Sequence, residues 1–159
     1  LWMVAATPPH KQDRRVTDAE ERLALVEAAI AGNPHFEASR LELDREGPSY
    51  TVDTLRRLHV LYPSANWSLL IGADSLAGFP SWREPAEIAR LADLVVYRRD
   101  GHPAPPVPDG VAVRFADAGR VDVSSSEIRA RLAAGQSVRY LVPEAVRRRI
   151  EARGLYREA

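Results

Sequence analysis

No cysteine occurs in the 159 residues, which excludes disulfides, thiolate zinc sites and a cysteine nucleophile. No apolar run approaches the roughly 20 residues that a membrane span requires. Charge of one sign is not in excess, since 22 Lys and Arg balance 22 Asp and Glu. A sustained basic stripe of the kind that tracks nucleic acid is missing, and so is any internal repeat. The opening residues carry neither a basic stretch nor a small-residue cleavage site, so no secretory leader is expected among them. No Gly-x-Gly-x-x-Gly follows a strand, which argues against a dehydrogenase. What remains is ordinary globular composition, 45% hydrophobic and 28% charged, in a length that suits one domain with a real core. Cytoplasm is the expected compartment.

The balanced charge is unevenly spread. From Ser124 to the end there are eight arginines and four acids, a balance of +4, which leaves −4 for the rest. A basic C-terminal part suits phosphate, although Arg147-Arg148-Arg149 alone reads better as a solvated helix surface.

Strand and helix signals alternate along the chain. Leu1 to Ala5 is continuously apolar and reads as a buried parallel strand. No turn and no initiator methionine precede it, so the chain is expected to begin inside a fold with an upstream strand missing. Thr17-Asp18-Ala19-Glu20 has the form of a capping box, and Leu23, Val26 and Ile30 recur at helical spacing. Gly32-Asn33-Pro34 stops that helix. A strand is expected over 36–43, a helix over 51–61 stopped by Pro63, and a strand over 67–71. Residues 84–91 read as helix, 93–98 as strand, 101–110 as a proline-rich loop and 111–115 as a short strand. Ser124 opens a helix that ends near Gly135, and Pro143 sits where a first-turn proline belongs, with a last helix to Arg153. The class is therefore α/β with a mainly parallel sheet. Such sheets bind ligands beyond the carboxyl ends of their strands. That rule selects residues 7–11, Gly72 to Asp74, Arg98 to Gly101 and the serines from 124.

Ser124-Ser125-Ser126-Glu127-Ile128-Arg129 carries the strongest local signal. A capping box explains Ser124 and Glu127. It does not explain two further hydroxyls, nor a cation early in the helix, where the positive end of the dipole disfavours it. A polyphosphate would explain both, because free N–H groups, hydroxyls and a guanidinium would converge on one anion. Ile71-Gly72-Ala73-Asp74 ends a strand; it reads either as a turn with an N-cap aspartate or as a close backbone approach with a carboxylate for ribose hydroxyls. Ser49-Tyr50-Thr51 opens a helix, either capping it or leaving N–H groups for a carboxylate. Trp82 covers a core edge or offers a flat face to an aromatic ring. Arg98 and Arg99 end a strand at the ligand edge, and His10-Lys11 sits in a stiff loop.

Each signal is modest, but their order is specific. Pro-Pro-His-Lys, Gly-Pro-Ser-Tyr-Thr-Val-Asp-Thr-Leu, Ile-Gly-Ala-Asp-Ser-Leu, Pro-Ser-Trp, Arg-Asp-Gly, Val-Ser-Ser-Ser-Glu-Ile-Arg and Tyr-Leu-Val-Pro-Glu-Ala-Val follow one another. In this order the chain resembles the bacterial nicotinate-nucleotide adenylyltransferases over essentially all of its length. The resemblance implies a Rossmann-like nucleotidyltransferase fold in a single domain, with a small helical part over 124–159. It implies ATP and nicotinate mononucleotide as substrates, deamido-NAD and pyrophosphate as products, and magnesium bound through the ATP phosphates.

By the same resemblance, Ile71, Gly72 and Asp74 meet the adenosine, with Asp74 on its ribose. Ser125, Ser126 and Arg129 face the ATP phosphates and carry the catalytic charge stabilisation. Tyr50, Thr51, Trp82, Arg83, Arg99, His10 and Lys11 belong to the nicotinate mononucleotide side, with Trp82 stacked on the pyridine and Thr51 and the backbone after Trp82 on its carboxylate. No metal ligands are expected from the protein, no nucleic-acid or membrane partner is expected, and a homo-oligomer is left open. Asp100 replaces a proline usual in the family, and Val123 and Ser126 stand for the usual Ile and Thr. The family also begins with a strand and a His-x-Gly-His loop, which His10, His35, His59 and His102 do not match. A chain lacking that segment is expected to be inactive, with a sheet short of a central strand, so truncation of a longer protein, or an unobserved N-terminus, is expected. Two alternatives remain at this stage: a sibling transferase for another phosphate acceptor such as phosphopantetheine, and a nucleotide-binding module without catalysis.

Overall fold

The computed structural model describes residues 1–7, 17–99, 106–119 and 121–157. In chain order the elements are β1 (Trp2–Met3), α1 (Ala19–Ile30), β2 (Ala38–Ser39), α2 (Thr51–Leu61), β3 (Ser68–Gly72), α3 (Ala73–Gly78), a 3-10 turn (Phe79–Ser81), α4 (Pro85–Leu91), β4 (Asp93–Arg99), β5 (Val113–Ala118), α5 (Ser125–Ala133) and α6 (Glu144–Arg153). Every strand pair is parallel, as the alternation of strand and helix signals requires. The chain forms two compact units, residues 1–48 with 122–159 and residues 49–121.

In the 49–121 unit a three-stranded sheet runs in the order β3-β4-β5. Ser68 registers with Asp93 and Gly72 with Tyr97; Leu94 registers with Val113 and Arg99 with Ala118. The carboxyl ends of the strands therefore lie along one edge. Leu94 and Val96 of the central strand are buried, together with Ile71, Leu76, Phe79 and Ile88. On α2 the buried positions are Val52, Leu55 and Leu58, spaced three apart as one face of a helix demands. Arg56 lies beside Glu84 and Glu87, and the His59 imidazole donates from Nε2 to the Leu91 carbonyl at 2.8 Å. Helices α2 and α4 are thus held together at two points.

The other unit joins β1 and β2 in a two-stranded sheet, with Trp2 opposite Ala38 and Met3 opposite Ser39. Its helical core is Leu132, Val138, Val146 and Ile150, with Leu25, Ala28, Ile128, Val142, Leu155 and Tyr156 packed against them. Glu21 of α1 meets both Arg149 and Arg153 of α6 at 3.3 Å. Arg147 and Arg148 pair with Glu144, whose carboxyl they draw down to about 2. The arginine run is thus occupied by acids of α6 and α1.

Three local expectations are corrected. Helix α1 is capped by Asp18, not by a Thr17–Glu20 box. The Asp18 carboxylate accepts from the Glu20 and Glu21 N–H groups at 2.9 and 3.4 Å, while Glu20 is engaged by a two-pronged contact with Arg40. A charged acceptor outcompetes a hydroxyl one position earlier. Pro143 is the N-cap of α6 and not its first helical residue. The strands expected over 1–5 and 36–43 shrink to two residues each, because among the described residues only those pair in register.

Candidate active site

The first turn of α2 is open. Its N-cap is Tyr50, in extended conformation, and no side chain among the described residues caps the helix. The carbonyl of Tyr50 accepts from the N–H groups of Asp53 and Thr54 at 3.1 and 3.2 Å, which leaves the N–H groups of Thr51 and Val52 at the helix end. Of the two readings of Ser49-Tyr50-Thr51, the capping one is therefore not what the geometry supports.

Trp82 follows the 3-10 turn. Its half-buried indole packs at a tilt against Phe79, with ring centroids 5.5 Å apart and planes at 51°. Phe79 itself is fully buried. Arg83 comes next, and its guanidinium lies 4.7 Å over the Tyr50 ring and 3.6 Å from the Asp53 carboxylate. Through Arg83 the segment that carries Trp82 thus meets the amino end of α2, which carries Tyr50 and Thr51; these are four of the seven residues read from the sequence as the mononucleotide side.

Gly72 ends β3 and is the N-cap of α3, which makes Asp74 the second helical residue and not a cap. The Asp74 side chain is exposed and folds back on the strand end: a Cβ built on Gly72 would lie 2.5 Å from its Oδ1. Glycine here is a matter of room, since the φ of −76° suits any residue. Arg99 ends β4 at the same edge of the sheet; its side chain, and all of His10 and Lys11, lie outside the described residues.

In the other unit, Ser124 caps α5, its Oγ accepting from the Glu127 N–H at 3.1 Å. Glu127 does not return the bond; it pairs with Arg131 at 3.1 Å. Ser125 and Ser126 occupy the first two helical positions, and both are exposed. Arg129 reaches back to the Ser126 Oγ at 3.4 Å and forms no ion pair among the described residues. The capping and anion readings of this segment are compatible, because capping uses Ser124 alone.

Sequence reasoning missed Asp53, Arg56 and Glu84. Arg56 grips Glu84 with two prongs at 2.6 and 3.3 Å and lies 3.7 Å from Asp53. This hydrogen bonding holds the Glu84 carboxyl below the usual glutamate range. The one sequence signal was Pro85, which bars its predecessor from the helical conformation.

The cytidylyltransferase-like family model matches residues 1–131. A Salinibacter ruber protein described as a probable nicotinate-nucleotide adenylyltransferase is 44% identical over 98% of this chain and 81% of its own length. A Thermus thermophilus protein of the same description is 46% identical over 99% of this chain and 82% of its own. Among solved structures, the Plasmodium falciparum nicotinic acid mononucleotide adenylyltransferase, complexed with NaAD, superposes with a TM-score of 0.72. It covers 97% of this chain and 80% of that one at 15% identity, a likeness of fold. Among the described residues no helix is long and apolar enough to cross a membrane. By the family match and by relatives this similar over nearly its whole length, the chain belongs to the nicotinate-nucleotide adenylyltransferases of the cytidylyltransferase-like family.

Proposed function

We propose that this chain, in the full-length protein, serves to transfer the adenylyl group of ATP to nicotinate mononucleotide, giving deamido-NAD and pyrophosphate. The observation that supports this most is the open amino end of α2, tied through Tyr50, Asp53 and Arg83 to the segment that carries Trp82. Uncapped helix N–H groups favour a carboxylate, and a half-buried indole packed against Phe79 keeps exposed surface for a flat ring. In this reading Thr51 and the backbone at Arg83 take the nicotinate carboxylate, and Trp82 stacks on the pyridine. Arg99, His10 and Lys11 take the remaining anionic part of the mononucleotide. Ile71 and Gly72 let the adenosine approach the strand end, and Asp74 accepts its ribose hydroxyls. Ser125, Ser126 and Arg129 take the ATP phosphates.

The chemistry needs no protein nucleophile. A phosphate oxygen of the mononucleotide attacks the α-phosphorus of ATP; one O–P bond forms, the bond to the bridging oxygen breaks, and pyrophosphate leaves. The residues contribute position and charge neutralisation. Among the described residues no group of three or more His, Asp or Glu is arranged to hold a metal. In the proposal magnesium arrives on the ATP phosphates, whose charge it offsets.

Two results are expected. Nicotinate mononucleotide should exceed its nicotinamide counterpart in kcat/KM by about 5- to 13-fold, the gap between a charged and a neutral hydrogen bond. Steady-state kinetics on the full-length protein measure this, and equal values would remove the carboxylate site from α2. Gly72→Ala should push the Asp74 carboxylate aside at little expense in stability, because the atom in the way ends an exposed side chain. ATP affinity should then fall about 13-fold or more, the loss of at least ~1.5 kcal/mol for a hydrogen bond to a charged group. Unchanged ATP binding by calorimetry would take Asp74 off the ribose.

A further inference from the structure

Glu84 stands out on two independent counts. Its backbone is left-handed, at φ 53° and ψ 58°, a conformation that L side chains with a Cβ resist. Pro85 explains why it is not right-handed helical, but extended conformations were open to it and would cost less. Its carboxylate is also the hub of a network. Arg56 holds it by a two-pronged contact, and Arg83 Nε lies 3.7 Å away. Arg56 and Arg83 both come within 4 Å of Asp53, at 3.7 and 3.6 Å, in the first turn of α2.

The consequence is geometric. Trp82 and Arg83 sit on a short segment between the 3-10 turn and α4, with few backbone hydrogen bonds of their own. This segment is held against α2 by the contacts from Arg56 and Asp53 to Arg83 and Glu84, and by the Arg83 guanidinium over the Tyr50 ring. Side-chain exposures of 44% for Arg56 and 43% for Glu84 place the pair at the surface, where an ion pair adds little to folding. A strained residue held by a surface fork is poor economy for stability alone, and such strain gathers where a segment must be held in place.

We propose that Arg56 and Glu84 are positioning residues for the acceptor: their fork sets the distance between the indole of Trp82 and the open end of α2, and so the affinity for the mononucleotide. The inference rests on the acceptor site proposed above. Neither residue touches the substrate; both act through Trp82 and Arg83. The left-handed turn at Glu84 is the local strain that the Arg56 contact holds in place.

The test uses the full-length protein and nicotinate mononucleotide. Glu84→Gly removes the fork and accepts the left-handed backbone freely, so it should leave the melting temperature unchanged or raised. It should nevertheless raise KM for the mononucleotide about 2- to 5-fold, with kcat and the KM for ATP unmoved. Arg56→Ala should raise the same KM, and the Arg56→Ala/Glu84→Gly double variant should be no worse than either single one. Trp82→Ala is measured beside them. If Trp82→Ala raises KM and Glu84→Gly does not, the positioning role is overturned and the site stands. If neither does, the acceptor site itself is misplaced and the proposal goes with it. A Glu84→Gly variant that melts early with kcat and both KM values unmoved would show a fork that serves folding alone, which also overturns it.

Discussion

Phe79→Ala should lower the unfolding free energy by about 3–5 kcal/mol, the range for deleting a buried aromatic ring. Phe79 has no exposed surface and lies at the junction of α3 with the 3-10 turn. Its carbonyl accepts from the Trp82 N–H at 3.0 Å, and its ring supports the Trp82 indole. Total stabilities of small domains are typically only about 5–15 kcal/mol, so this one deletion removes a large share. Phe79→Leu fills most of the space and should stay within about 1.5 kcal/mol of the parent. Urea unfolding of both variants measures the difference. A loss under about 1 kcal/mol for Phe79→Ala would mean that the site collapses around the gap, and that Phe79 is not the floor on which Trp82 rests.

That floor was not legible in the sequence, and the reason is general. Trp82 invited two readings, core cover or aromatic platform, and the sequence could not choose because the choice depends on what lies beneath the ring. The structure packs Phe79, three residues earlier, against it at a tilt and leaves the indole half-buried. Arg56 and Glu84 were invisible for a related cause. They are 28 residues apart, and an arginine on an exposed helix face can meet any of several acids once the chain folds. Local signals fared better. Helix α2 starts and stops at the residues read for it, because a Gly-Pro turn and Pro63 bracket a run with one apolar face. Helix α5 begins where Ser124 said it would. Strands β3 and β4 came within one residue of the expected bounds, while the ends of β1, β2 and β5 were misjudged by two or more residues, since apolar character marks a buried strand while its paired length is set by a partner elsewhere in the chain. The cap of α1 slipped by one because two neighbouring side chains could both serve and only the fold assigned Glu20 to Arg40. The family, by contrast, was legible in the order of the motifs, which survives even where each motif alone reads as capping.

Arg129→Ala should weaken ATP binding by about 1.5–3 kcal/mol, or roughly 13- to 160-fold, the worth of a hydrogen bond to a charged group. The unliganded protein should be as stable as the parent or slightly more so. The reason lies in the first turns of α5. Ser124 already caps the helix, and Glu127 is engaged with Arg131. Arg129 is left with a 3.4 Å contact to the Ser126 hydroxyl, exposed, and close to the positive end of the helix dipole. Removing a cation from that position relieves a small repulsion; adding polyphosphate there turns the same repulsion into attraction. Ser124→Ala supplies the contrast. It should cost about 1 kcal/mol of stability through the lost cap while leaving ATP affinity in place. Thermal melts with and without ATP, with calorimetric titration on both variants, separate the two roles. Should Arg129→Ala melt earlier than the parent without ligand and still show the full shift on adding ATP, Arg129 would be a structural residue and the phosphates would have to be held elsewhere.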